Sequence, residues 1–139
     1  MKVGFLGAGK MAEAILSSMV QTGLCEPWNV MAGDKDAERR LLMEKQYGVI
    51  VTADVAQTVK ACNVLVVAVK PQDLDALLGE IKKSLTDKHL LVSIAAGISQ
   101  ASLSAWLGEK TAIVRCMPNT PALVLTGATG LHANSNVTD

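Results

Sequence analysis

The run Asn63-Val64-Leu65-Val66-Val67-Ala68-Val69 is apolar on both faces, and it limits the possible folds of this chain more than any other feature. A strand with one wet face alternates apolar and polar residues, whereas a strand that is apolar throughout must be covered above and below. Further strands are expected at 3–7 (VGFLG), 28–32, 49–51 (VIV), 90–96 (LLVSIAA) and 111–117 (TAIVRCM). Stretches of helical period separate them. Residues 10–21 bring Met11, Ile15, Leu16 and Met19 to one face, and 36–46 turn Leu41 and Leu42 inward. Asp54 reads as a helix cap, with Gln57 completing a capping box. A later helix carries Leu74, Leu77, Leu78, Ile81 and Leu85. Ser99 caps another that holds Leu103, Trp106 and Leu107 and is closed by Gly108. Past residue 117 the pattern is irregular. Strands that alternate with helices, several apolar on both faces, imply a parallel sheet wound with crossover helices.

The turn after the first strand reads Gly7-Ala8-Gly9-Lys10-Met11-Ala12. Glycines at the first and third positions and a small residue at the sixth, between a strand and a helix, form the fingerprint of a dinucleotide site. The first glycine permits the tight turn. The second lets backbone approach a pyrophosphate, and Ala12 lets helix and strand pack closely. Helix-start N–H groups supply the anion site. The expected fold is therefore α/β, a Rossmann-type doubly wound, mostly parallel sheet with helices on both faces. The segment AGDKDAERR (32–40) follows the second strand, where the adenosine ribose would lie. Either Asp34 accepts from the ribose diol, or it caps the next helix while Lys35 and Arg39 face a 2′-phosphate. A third reading makes Arg39 and Arg40 a solvated helix face.

Composition excludes other classes. Thirteen basic residues balance thirteen acidic ones, so no global field favours nucleic acid or an anionic membrane. Four aromatic residues, Phe5, Trp28, Tyr47 and Trp106, offer no stacking platform for single strands. Cys25, Cys62 and Cys116 fit neither a disulfide framework nor a zinc site and suggest a reducing compartment. Cys62 and Cys116, beside strands, read as buried hydrophobes. A leader is not expected, because Lys10 and Glu13 interrupt the first apolar stretch. No run approaches the ~20 apolar residues of a spanning helix. A cytoplasmic protein is expected, with no metal site.

The segments GFLGAGKMAEAI, LVVAVKPQ, LLVSIAAGIS and MPNTPALV resemble pyrroline-5-carboxylate reductases, and the likeness runs over essentially the whole chain. MPNTP, two prolines flanking Asn-Thr at a strand end, is the most specific of them. The resemblance implies NAD(P)H-dependent reduction of the cyclic imine 1-pyrroline-5-carboxylate to L-proline, the last step of proline biosynthesis. NADP is the expected cofactor, with NAD as the alternative. By motif, Gly7, Ala8, Gly9, Lys10 and Met11 would hold the pyrophosphate, and Gly33, Asp34 and Lys35 would meet the adenosine ribose. Ala68, Val69, Lys70, Pro71, Ala95, Gly97, Met117, Pro118 and Asn119 would approach the ribose and nicotinamide. Val55 stands where the family commonly has Asn, which removes a polar contact on the adenosine side.

The same resemblance implies a C-terminal helical domain that dimerises and shapes the imine pocket. Residues 1–131 are then the nucleotide-binding domain and 132–139 (HANSNVTD) a polar tail or linker to that domain. Turnover by this chain alone should be negligible, and the full-length form a homo-oligomer. Hydride transfer needs no metal or protein nucleophile. His89 and His132 read as structural or surface residues, and Lys70 as a phosphate or ribose contact, so no catalytic residue is assigned. The alternatives are another oxidoreductase on this module, such as a β-hydroxyacid dehydrogenase or a coenzyme F420-dependent NADP reductase, or a non-catalytic nucleotide-sensing module. MPNTP argues against the two oxidoreductases.

Overall fold

The computed structural model describes residues 1–118 and 129–138. In chain order it contains β1 (Val3–Leu6), α1 (Lys10–Gln21), β2 (Val30–Gly33), α2 (Ala37–Tyr47), β3 (Ile50–Thr52), α3 (Val55–Ala61), β4 (Val64–Val67), α4 (Pro71–Ile81), β5 (Leu90–Ser93), α5 (Gln100–Leu107), β6 (Ala112–Pro118) and β7 (Thr129–Ala133). The described strands form one sheet in the order β3-β2-β1-β4-β5-β6-β7. All neighbours pair in parallel except β6 and β7, which run antiparallel. This is the doubly wound arrangement, with its order reversing between β1 and β4.

The two-sided strand behaves as its composition requires. Leu65 and Val67 point into one core with Val59 of α3, Leu74, Leu78 and Ile81 of α4, and Leu103 of α5. Val64 and Val66 point the other way, into a core with Phe5, Val30, Ala12 and Leu16 of α1, and Met43 of α2. Helices therefore cover both faces.

Local chemistry sets the element ends. Asp36 caps α2, accepting from Glu38 N–H, and Gly48 closes it in the left-handed conformation. Ser99 caps α5 by accepting from Ser102 N–H. Pro71 starts α4, where a missing N–H costs nothing.

Several expectations need correction. Trp28 does not begin the second strand: Pro27 opens a 3₁₀ turn over Pro27–Asn29, and Trp28 is 65% exposed. Leu41 is 48% exposed while Met43 is fully buried. Two residues turn a helix by about 200°, so the two cannot share a face. Asp54 caps α3 through Ala56 N–H, but the box with Gln57 does not form. Gln57 Oε1 accepts instead from the Thr52 hydroxyl, which itself accepts from Asp54 N–H. Leu85 lies beyond α4, past a 3₁₀ turn at Lys82–Ser84. Over its described residues the stretch from 132 onward is bonded to β6 and the turn before it. Its first two residues complete β7, and Asn134 Oδ1 accepts from Ile113 N–H while its Nδ2 donates to Thr111 O. Asn136 Nδ2 donates to Glu109 O and Thr111 O.

Candidate functional site

The carboxyl ends of β1, β2 and β4 converge where the strand order reverses, and a cavity of about 470 Å³ opens there. Gly7 draws these ends together. Its N–H donates to Gly33 O at 2.8 Å, and it sits at φ +104°. A Cβ on Gly7 would lie 3.0 Å from the carbonyl of Ala68 and from a methyl of Val69. The fold itself therefore requires glycine here.

Gly9 differs. It is the N-cap of α1 with φ −72° and ψ −175°, a conformation open to any residue. A Cβ there would meet nothing within 4 Å, because it would project into open space, and Gly9 lines the cavity. No side chain caps α1, and the N–H groups of Gly9, Lys10, Met11 and Ala12 take no partner among the described residues. Four free donors at a positive helix end form an anion site with its steric cover removed.

The Ala8 peptide is held from both sides. Its N–H donates to Asp34 Oδ2 at 2.7 Å, and its carbonyl accepts from Arg39 Nε at 2.6 Å. Arg39 Nη2 also pairs with Glu13 Oε2 at 2.7 Å, and Tyr47 OH donates to Glu13 Oε1 at 2.7 Å. Burial pushes the Glu13 carboxyl up, but the hydrogen bonds from Arg39 and Tyr47 and the Arg39 charge outweigh it and hold the group below its usual range. Burial and then the Glu13 hydrogen bond and charge push the Tyr47 phenol up to about 12. This is a brace between α1 and α2 behind the glycine turn.

Of the residues expected at the site, Gly7, Gly9, Gly33, Asp34, Lys35, Ala68, Val69 and Lys70 line the cavity. Ala8 is buried behind it; Lys10 and Met11 open α1 at its edge, and Pro71 opens α4. Ala95 and Gly97 follow β5, and Met117, 47% exposed, sits near the end of β6; these lie along the same sheet edge but outside the cavity wall. Pro118 ends β6. Asn119 and the rest of the MPNTP segment lie outside the described residues. Asp34 does not cap α2, a role Asp36 takes, and the two arginines are not a free solvated face. His89 belongs to the opposite sheet end: Thr86 N–H donates to its Nδ1, leaving Nε2 to donate to Val59 O at 2.9 Å.

Sequence reasoning missed one wall. Asp73, Ala76, Leu77 and Glu80 of α4 line the cavity, together with Asp36 and with Val55, noted only as a departure from the family. The signal was present in the i, i+3, i+4, i+7 spacing of those four residues after a helix-starting proline. Val55, Val69, Ala76 and Leu77 form an apolar slot, and Gly9 with its neighbouring amides the polar end. Such a cavity suits a flat heterocycle joined to an anion.

Among the described residues no helix is long and apolar enough to cross a membrane. The family described as NADP oxidoreductase coenzyme F420-dependent matches residues 2–97. A pyrroline-5-carboxylate reductase of Pseudomonas aeruginosa is 40% identical over 136 residues, covering 98% of this chain and 50% of the relative. The solved pyrroline-5-carboxylate reductase of Coxiella burnetii superposes with a TM-score of 0.94 at 34% identity, over 99% of this chain and 51% of that one. The Plasmodium falciparum enzyme, solved with NADP bound, gives 0.88 at 28% identity, over 99% and 50%. The chain thus spans about half the length of the curated relatives it matches. It belongs to the NADP oxidoreductase, coenzyme F420-dependent family, and within that family it matches the N-terminal half of pyrroline-5-carboxylate reductases.

Proposed function

We propose that this chain is the nicotinamide-dinucleotide-binding half of a reductase that converts 1-pyrroline-5-carboxylate to L-proline with NADPH or NADH. The carrying observation is Gly9, a glycine that backbone conformation and packing do not demand, placed where a side chain would fill the cavity beside four free N–H groups. The turn from Gly7 to Met11 holds the pyrophosphate, Gly33, Asp34 and Lys35 face the adenosine ribose, and the slot of Val55, Val69, Ala76 and Leu77 takes the adenine. The edge at Ala68–Pro71, Ala95, Gly97, Met117 and Pro118 runs toward the nicotinamide, and the motif resemblance assigns Asn119, outside the described residues, to the same role.

The bound coenzyme supplies the hydride. The residues of this chain bind it, orient it along the sheet edge and keep water from its adenosine end. A protonated imine already carries positive charge, so the chain needs no nucleophile, and we assign it no catalytic residue. Substrate turnover is proposed for these residues acting with the remaining half that the relatives carry, as a homo-oligomer formed through that half. We also place the protein in the cytoplasm, since Cys25, Cys62 and Cys116 are buried free thiols, the state a reducing compartment maintains. The family description supports a second reading, an F420-dependent NADP oxidoreductase. The relatives at 34–40% identity favour the first.

Fluorescence titration with NADPH and NADH tests the binding reading. The wild-type chain should bind with micromolar affinity. Gly9→Val should abolish binding while leaving the melting temperature nearly unchanged. Equal affinity in the variant would sink the assignment.

A further inference from the structure

Four free N–H groups make the polar end of the cavity, and the fold sets a cation behind one of them. Ala8 O and Gly9 N–H belong to one peptide group, and in a trans peptide they point in opposite directions. Arg39 Nε donates to the carbonyl end at 2.6 Å. The N–H end therefore points away from Arg39, and it has no partner among the described residues. Gly9 lines the cavity and Arg39 does not. The guanidinium thus stands one peptide group behind the anion site, outside the cavity wall. Thirteen bases and thirteen acids could pair in many ways, yet among the described residues the ion pair formed is Arg39 Nη2 with Glu13 Oε2, at 2.7 Å. Glu13 lies in the first turn of α1, where its charge opposes an anion at the same helix end. Its carboxyl is held below its usual range, so that charge is present at neutral pH.

We propose that Arg39 is a positioning residue for the coenzyme's pyrophosphate, which it serves without touching. It fixes and polarises the Ala8–Gly9 peptide, so that Gly9 N–H donates more strongly, and it neutralises Glu13 beside the same site. This rests on the dinucleotide reading above. A charge-assisted bond to a carbonyl draws electron density from the N–H of that peptide, and linked hydrogen bonds strengthen one another by about 10–30%. Lysine replaces such a residue only in part. The guanidinium meets a carbonyl through Nε and a carboxylate through Nη2 at once, a fork that an ammonium lacks.

The full chain is titrated with NADH, and 5′-ADP and adenosine are made to compete with it. Arg39→Met should weaken NADH and 5′-ADP by at least about fivefold and leave adenosine, which has no phosphate, unchanged. Arg39→Lys should fall between wild type and Arg39→Met. Glu13→Gln keeps an acceptor for Arg39 and Tyr47 while removing the charge, so it should tighten 5′-ADP; added to Arg39→Met, it should restore part of the loss. In amide NMR spectra the Gly9 proton should move downfield when 5′-ADP binds the wild type and upfield in Arg39→Met. Equal losses of 5′-ADP and adenosine would reduce Arg39 to a support of the fold and overturn the proposal. An unmoved Gly9 signal in Arg39→Met would overturn it too, as would weaker 5′-ADP binding by Glu13→Gln, a test that stands even where Arg39→Met fails to fold. Failure of the wild-type chain to bind NADH or 5′-ADP would overturn the dinucleotide reading itself, and this inference with it.

Discussion

Gly7 and Gly9 stand two positions apart in one turn, yet each is glycine for a different reason. At Gly7 a side chain would strain a positive φ and press on the Ala68 carbonyl 3.0 Å away. Gly7→Ala should therefore cost about 1–3 kcal/mol in chemical denaturation. Gly9→Ala should cost less than about 1 kcal/mol, the ordinary loss for alanine at a helix N-cap, and its effect should appear in coenzyme titration instead. Thr58 explains two more glycines. Its methyl would be 2.5 Å from a Cβ at Gly4, and its hydroxyl, buried without a partner among the described residues, 2.8 Å from one at Gly33. Gly33→Ala should destabilise by about 1–3 kcal/mol by overpacking. Thr58→Ala should recover part of that loss in a double-mutant cycle; strictly additive losses would contradict the contact.

Between elements, the Glu13, Arg39 and Tyr47 brace ties α1, α2 and the glycine turn together, and it predicts how stability follows pH. The Glu13 carboxyl is held below its usual range when folded, so its contribution is present above that range and fades as pH falls through the folded value. The Tyr47 phenol is raised from 10.0 to about 12. Its contribution is complete below 10.0, and it is lost as pH climbs from there toward about 12. Tyr47→Phe should flatten that alkaline decline in urea melts taken at successive pH values. A decline of the same depth in the variant would place its origin elsewhere. Because Arg39 also grips Ala8 O, loosening the brace should weaken coenzyme binding without touching the ligand.

Across the whole molecule, parallel strands lock the centre while a side chain closes one edge. The Asn134 side chain joins the end of β7 to Thr111 and to Ile113 of β6 by two hydrogen bonds, and it accepts a third from Asn136 N–H. Asn134→Ala should cost about 1 kcal/mol by leaving the partly buried Ile113 N–H without its acceptor. Hydrogen exchange should then quicken in β6 and β7 while β1 and β4, paired on both sides, stay protected. Uniform quickening across the sheet would mean that the edge is not a separate unit.

The strands, helices and glycine turn were legible in the sequence because their causes are local. Two-sided apolarity at 63–69 and Asp54 and Ser99 as caps each act within a few residues. Even so, Leu41 was misplaced, because spacing gives the shape of a helical stripe while its phase is set by whatever core receives it. Three matters were decided only by the tertiary structure: the pairing of β7 beside β6, the inward turn of Arg39, and the clamping of Asp34 onto Ala8. Each depends on atoms separated by many residues and brought together by the sheet. A charged side chain in isolation has no preferred partner; the folded backbone supplies the carbonyls and amides that choose one.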